Sequence, residues 1–168
     1  MPAPQCTIRV HQDDQGVTFR VEGWAAMNHS LPFCHCAEKC LCGGAASLRV
    51  DLRQCTYMDS TFLGDLLLLK RDVERRGRGE FALVSPSPQC QRLLEQMRLN
   101  VFFPIVTAEQ PPSWDWSDLP SGQAEVQAFQ ANVVEAHEEL ANLPGPAGDP
   151  FRAVVRCLNQ ARDTNTSC

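Results

Sequence analysis

Two short segments near the start of the chain alternate apolar and polar residues, which is the pattern of half-buried β-strands. They cover residues 7–10 and 17–21, and the turn-forming segment 13–16 separates them. Gly16 suits the tight position of this turn, because glycine adopts backbone conformations that strain other residues. We therefore expect the chain to begin with a β-hairpin.

Helical and strand patterns then alternate along the chain. Some segments have apolar residues three or four positions apart, as amphipathic helices do, and others are the short apolar runs of buried strands. The predicted elements are helices at 28–42, 61–76 and 89–97 and strands at 47–52, 81–84 and 101–106. For the first helix we expect Asn28 or Ser30 as the cap and Pro32 in the first turn. The order β-β-α-β-α-β-α-β predicts an α/β fold with a mixed or mostly parallel sheet and helices packed on it.

The composition changes after residue 106. The segment 110–122 is rich in Pro, Ser and Asp and has no period, so we expect a linker whose Trp114 and Trp116 either pin it to the domain or contact a partner. Two helical patterns follow and predict an antiparallel hairpin. The predicted organisation is a first domain at 1–107, a linker at 108–122, a helical hairpin at 123–163 and a tail at 164–168.

The predicted hairpin needs a surface to pack on. Its helical patterns, at 124–140 and 150–161, each have one apolar face, and two helices of that length cannot bury both faces alone. The pattern leaves three surfaces open: the first domain, another copy of the chain in a homodimer, or a different protein.

Composition and charge exclude several classes of protein. An apolar share of 43% and a charged share of 21% are typical of a soluble globular chain, and a net charge of −5 argues against binding to nucleic acid. No apolar run reaches the roughly 18 residues of a membrane-spanning helix, and the first residues lack a secretory pattern. We expect a cytoplasmic protein without membrane insertion.

The chain has nine cysteines, which we expect to be reduced thiols in that compartment. Four of them lie in the segment 34–42, where a metal site, a thiol-sensitive surface and simple core packing are the alternatives. Cys36 and Cys40 fall on one apolar stripe and are expected in the core, whereas Cys34 and Cys42 fall off that stripe. The spacing does not match that of zinc sites, so we expect no metal and no other cofactor.

A polar cluster, Asp59-Ser60-Thr61, lies between the strand at 47–52 and the helix at 61–76. Ser60 stands at the position of a helix N-cap, where a side-chain oxygen accepts hydrogen bonds from free backbone N–H groups. The residues alone leave two interpretations open, a structural cap or a functional site.

The sequence around this cluster closely resembles the STAS domain of bacterial anti-sigma-factor antagonists. The resemblance extends over residues 6–106 and is densest over 48–106. It is carried by Val50-Asp51-Leu52, Tyr57-Met58-Asp59-Ser60-Thr61, Leu63-Gly64, Gly79, Ser85-Pro86-Ser87-Pro88, Leu93-Leu94 and Phe103-Pro104-Ile105. It implies a STAS-like mixed β-sheet with helices packed on it, to which this chain adds the C-terminal helical hairpin.

The resemblance also implies a function. Members of the family are not enzymes but bind an anti-sigma factor that is also a serine kinase, and phosphorylation of a serine switches that binding off until a phosphatase restores it. By position the phosphoacceptor is Ser60, and the residues expected to bind the partner are Asp59, Ser60, Thr61, Phe62 and Gly64. Phe62 replaces a glycine that is common in the family, and its helical spacing with Leu66 and Leu69 favours core packing over an exposed anchor.

Two further hypotheses remain. In one, the protein is a structural or accessory STAS subunit of a larger stress-signalling or lipid-transport assembly, with the hairpin and Phe62 carrying the contacts. In the other it is a thiol or metal enzyme, which the absence of a nucleophile and base pattern makes the weakest.

Overall fold

The computed structural model describes residues 5–109, 114–119 and 125–165. Its strands are β1 (Cys6–Asp13), β2 (Gly16–Ala25), β3 (Ser47–Met58), β4 (Phe81–Val84), β5 (Ile105–Val106) and β6 (Ser117–Asp118). Its α-helices are α1 (Met27–Cys42), α2 (Ser60–Arg76), α3 (Pro88–Gln96), α4 (Val126–Ala141) and α5 (Asp149–Asn165), with a 3₁₀ turn at Gly145–Ala147. None of the described helices combines the length and apolar character needed to span a bilayer.

The strands form one mixed sheet in the order β5-β4-β3-β2-β1-β6. Strands β2 to β5 are parallel neighbours, and β1 is antiparallel to both β2 and β6. The predicted α/β class and mixed sheet are confirmed.

Two strands differ from the prediction. The one expected at 101–106 is reduced to Ile105–Val106, because the chain after α3 forms turns in which the Phe102 N–H donates to the Leu99 carbonyl at 3.0 Å. Strand β6 was not predicted. It consists of two exposed residues, which carry no strand periodicity and are strand only because they pair with β1.

Helix α1 also begins differently. Its cap is Ala26, whose N–H donates to Nδ1 of His29 at 3.3 Å, so neither Asn28 nor Ser30 is the cap. Pro32 lies inside the helix rather than in its first turn. The sequence signal failed because no cap side chain begins this helix: the first-turn N–H of Met27 donates to Asp59, which is distant in the sequence.

One face of the sheet carries the core. Phe19 of β2 is fully buried, and its ring packs edge-on against Phe33 of α1, with the ring centroids 4.9 Å apart. Phe33 in turn stacks on Phe62 of α2 at 5.0 Å. Because side chains alternate along a strand, the residues between the core positions point to the opposite face.

That opposite face is charged, and the linker crosses it. Arg20 lies 3.5 Å from the carboxylate of the buried Asp51 and under the ring of Trp116, 4.2 Å from its centroid. Trp114 stacks on His11 at 4.4 Å. Both tryptophans therefore pin the linker to the first domain, which was one of the two interpretations.

The two C-terminal helices, α4 and α5, pack on each other. Phe151, at the start of α5, lies near His137, towards the end of α4, and their ring centroids are 6.4 Å apart. Leu158, late in α5, lines a cleft of about 230 Å³ together with Phe129, early in α4. The helices are therefore antiparallel. The sequence left open whether these helices pack on the first domain, on another copy or on a different protein. Helix α4 packs on the first domain, where it contacts α2.

Candidate functional site

Asp59 joins the N-termini of two helices. It caps α2 by accepting a hydrogen bond from the Phe62 N–H at Oδ1 (2.9 Å), and it accepts one from the Met27 N–H of α1 at Oδ2 (2.7 Å). Strand β3 leads directly into this residue, so the parallel sheet fixes where both helices begin. Asp59 is therefore a structural residue of this junction.

Ser60 is the first residue of α2 and not its cap, which corrects the position expected from the sequence. Its Oγ lies 2.9 Å from Nε2 of His137 on α4. Nδ1 of the same imidazole lies 2.7 Å from the Val133 carbonyl, which can only accept a hydrogen bond. The neutral ring therefore carries its proton on Nδ1, and Nε2 accepts the Ser60 hydroxyl proton.

The next two residues face inwards. Thr61 is buried, and Phe62 is fully buried against Phe33. The preference for core packing of Phe62 is confirmed, because its ring is fully buried between α1 and α2 and is not an exposed anchor.

Gly64 lets α4 cross α2 at backbone distance. A Cβ atom at this position would lie 2.2 Å from the carbonyl oxygen of Ala136, a separation that real Cβ atoms do not reach. A glycine in mid-helix costs about 1 kcal/mol relative to alanine, so the close approach is a physical reason for its presence. In this structure Gly64 contacts the chain's own helix.

Asp65 is a buried carboxylate that the sequence prediction missed. Its side chain is 0% exposed and accepts a hydrogen bond at Oδ2 from the Asn132 amide of α4 at 3.0 Å. Ser30 and Cys34 of α1 also lie beside this carboxylate and interact with it. Burial raises the pKa of Asp65 to about 6, against the opposing effects of Asn132, Ser30 and Cys34. The signal was in the sequence: Asp65 lies between Thr61 and Leu69 on one buried face of α2.

The cysteine cluster is divided between core and surface. Cys34 is 5% exposed, which corrects its expected place off the apolar stripe, and burial raises its pKa with a further contribution from Asp65. Cys36 and Cys40 are half-buried and Cys42 is exposed. Over the residues that the structure describes, no three His, Cys, Asp or Glu side chains converge to hold a metal ion.

An exposed aromatic pair lies at the same end of the sheet and was also missed. Trp24 and Tyr57 are 41% and 36% exposed, and their ring centroids are 4.3 Å apart on the paired strands β2 and β3. Met27, which binds Asp59 through its backbone, is 45% exposed. Exposed aromatic residues are enriched at protein interfaces, so this patch extends the candidate surface beyond the predicted residues.

The five predicted site residues therefore have two environments. Asp59 and Ser60 are partly exposed, whereas Thr61, Phe62 and Gly64 are buried beneath α1 and α4. Partner binding through these residues stays a prediction, and in this conformation only the first two face the solvent.

Comparison with protein families decides what the domain is. The family described as "Mlab, STAS domain" matches residues 8–107, which is more than half of the chain. The protein belongs to the STAS domain family. Its linker and C-terminal helices lie outside the matched residues. No curated protein sequence matches the chain significantly.

Solved structures share the fold of this STAS protein. The unphosphorylated anti-sigma factor antagonist SpoIIAA is 18% identical and has a TM-score of 0.52 over 64% of this chain and 90% of its own. The phosphorylated Bacillus SpoIIAA is 17% identical, with a TM-score of 0.50 over 64% of this chain and 93% of its own. An anti-sigma factor antagonist described as putative, from Thermotoga maritima, is 20% identical, with a TM-score of 0.50 over 60% of this chain and 85% of its own.

Proposed function

We propose that this STAS protein is a non-catalytic regulatory protein whose partner binding is controlled at Ser60. The proposed partner is an anti-sigma factor with serine-kinase activity, and a phosphatase reverses the modification. The site is the junction of β3 and α2, with Asp59 and Ser60 at the surface and Thr61, Phe62 and Gly64 beneath it. Such a protein works in the cytoplasm, where kinase and substrate meet.

The observation that supports this proposal is the division of roles between Asp59 and Ser60. Asp59 caps α2, so the Ser60 hydroxyl is not needed to begin the helix. A phosphate on that hydroxyl would lie at a helix N-terminus, which favours an anion by roughly 0.3–1 kcal/mol. It would also add about −1.5 to −2 charges beside the Asp59 carboxylate. Such a modification preserves the fold and changes the surface that a partner meets.

One solved relative supports the chemistry. SpoIIAA has been captured in a phosphorylated form with the same fold. We propose phosphorylation of this chain as well, at Ser60, the serine at the junction of β3 and α2.

Mass spectrometry after incubation with an anti-sigma serine kinase, or of protein from native cells, tests the proposal. We expect phosphate on Ser60 and none on Ser87, a serine that caps α3 and is buried. Ser60→Asp should weaken binding to the kinase at least tenfold, whereas Ser60→Ala should bind and resist modification. Unmodified Ser60 together with unchanged binding of Ser60→Asp would show that the proposal is wrong.

A second candidate function is an accessory STAS subunit of a larger assembly without phosphoswitching. One observation favours it, the exposed pair Trp24 and Tyr57 beside the junction. In this case a complex formed through the exposed pair would withstand Ser60→Asp and be lost on Trp24→Ala. Light scattering of the two full-length variants separates the two functions.

A further inference from the structure

We propose that α4 is an intramolecular ligand of the STAS site. It covers a side of α2 that would otherwise be exposed, and it must leave before a partner helix can bind there. The proposal rests on the proposed function, because it concerns the same surface. Helix α4 lies outside the residues that match the STAS family, and it covers Ser60 and Gly64, two of the residues predicted to bind the partner.

The contact at Gly64 defines what kind of group fits the site. The backbone of Ala136 passes so close to Gly64 that α2 could not carry a larger residue there without separating from α4, and Ala136 is itself fully buried. Backbone-to-backbone packing of this kind is a property of two helices that place small residues at their crossing point. The surface is therefore shaped for a helix with alanine, serine or glycine at that point.

Polar contacts align α4 on this crossing. Asn132 donates to the buried Asp65, and His137 accepts from Ser60. Glu139 lies 2.7 Å from the guanidinium of Arg71, which is half exposed and adds little by itself. A partner helix would need a hydrogen-bond donor opposite Asp65 to replace Asn132, because an unpaired buried carboxylate is costly.

The docked state also has a built-in weakness. The Asp65 carboxylate is 0% exposed beneath α4, and burying a carboxylate costs free energy even when it is hydrogen-bonded. Undocking returns this group to solvent, which offsets part of the loss of apolar contacts. Helix α4 is therefore held by specific polar contacts that include a buried carboxylate, and a better-matched helix can displace it.

Phosphorylation and docking compete for the Ser60 hydroxyl. The Ser60 Oγ lies 2.9 Å from His137 Nε2, so the hydroxyl must give up its contact with α4 before it can react. A phosphate on Ser60 would replace the hydroxyl proton that Nε2 accepts, so the present contact with His137 would be lost. The hairpin thus regulates when the site is available.

Two matched substitutions in α4 of the full-length protein test this inference. Ala136→Leu enlarges the residue at the crossing, and Ala131→Leu makes the same change at an exposed position of the same helix. Amide hydrogen exchange and binding of a fluorescein-labelled peptide of residues 125–165 are measured for both. His137→Ala, a milder change, provides a second variant that removes only the contact to Ser60.

We expect Ala136→Leu to speed amide exchange in α4 at least tenfold while β2 and β3 stay protected. The added peptide, which carries the wild-type residues, should bind this variant at least tenfold more tightly than the wild-type chain, whose own helix has an effective concentration of roughly millimolar. His137→Ala should change both quantities in the same direction by a few fold, and Ala131→Leu should match the wild type.

Two results would overturn the inference. If exchange in α4 and peptide binding are the same in all variants, α4 is not a displaceable ligand. If β2 and β3 lose protection together with α4, even in His137→Ala, the hairpin is an integral part of the folded domain. Neither measurement uses a kinase, so a failure to phosphorylate Ser60 leaves this test unaffected, and a failure of this test leaves the phosphorylation experiment valid.

Discussion

Two serines of this protein stand where a parallel strand meets a helix, and the structure holds them differently. Ser87, between β4 and α3, caps its helix: its Oγ accepts from the Cys90 N–H at 3.1 Å and donates to the Cys55 carbonyl. Ser60, between β3 and α2, caps nothing, and its Oγ reaches His137 on a distant helix. Asp59 has taken over the capping.

This difference distinguishes a serine hydroxyl that the fold needs from one that is available for modification. A serine whose oxygen completes its own helix is held by its neighbours in the chain, and changing it disturbs the fold. A serine whose oxygen bonds to a separate element can change partners without disturbing its own helix. By this comparison Ser60, and not Ser87, is the residue suited to modification.

The largest effect is expected at Asp59. Replacing it by alanine removes charge-assisted hydrogen bonds to the first turns of α1 and α2, each worth about 1.5–3 kcal/mol. We expect Asp59→Ala to lower the free energy of unfolding by about 3 kcal/mol in urea titrations. Asp14→Ala, at an exposed turn position, is the control and should change it by less than about 0.5 kcal/mol. An equally small effect at Asp59 would mean that Ser60 is needed as a cap after all.

Asp65→Asn should stabilise the protein and do so in a pH-dependent way. Because the folded-state pKa is raised from 3.8 to about 6, the folded state binds more protons than the unfolded state, and stability falls as pH rises through this range. At roughly 1.4 kcal/mol per pKa unit the full shift is worth about 3 kcal/mol. We expect a gain of about 2 kcal/mol at pH 8, since local opening of α4 can hydrate the carboxylate, and about half of that at pH 5.

The comparison for Asp65→Asn is made by urea titration of both proteins at both pH values. Asparagine can still accept from Asn132, so the packing of α4 is kept while the charge is removed. A gain that is equal at pH 5 and pH 8 would show that the charge of Asp65 is not its cause.

Ser87→Ala should lower the free energy of unfolding by about 1.5 kcal/mol, within the usual range for loss of a helix cap. The substitution also leaves the buried Cys55 carbonyl with only the weak thiol donor of Cys90, 3.3 Å away. Thermal unfolding monitored by circular dichroism measures the effect. If Ser87→Ala leaves the stability unchanged, Ser87 is not a structural cap and the contrast with Ser60 fails.

Ser60→Ala should have the smallest effect on stability, below about 1 kcal/mol, because the cap on α2 is kept. The loss should be local: hydrogen exchange should rise in α4, where His137 loses its partner, and stay unchanged in α2. Faster exchange in the first turn of α2 would indicate that the hydroxyl does stabilise its own helix.

The α/β order was predictable because each element has a strong period of its own. Phe62 could be placed in the core from its spacing with Leu66 and Leu69, and it lies there. The two features that define the site were harder. A cap is decided by which of two adjacent polar residues has the extended backbone, and the sequence Asp59-Ser60 is compatible with either.

The docking of α4 could not be predicted from the period of one helix alone. An amphipathic pattern shows that a face is covered but not what covers it. Gly64 and Asp65 were the available clues, a glycine and a carboxylate within an apolar helix. Each is unfavourable there by itself, and together they indicate another helix crossing closely with a polar group on it.

Strand β6 has a consequence for how the protein behaves at high concentration. A free sheet edge exposes unpaired backbone groups that can pair with another molecule and start aggregation. Here the linker places Ser117–Asp118 along β1, and the other edge is the two-residue β5. Trp114 and Trp116 hold the linker in place and so keep this edge of the sheet covered. Replacing both with alanine should make the protein prone to form fibres.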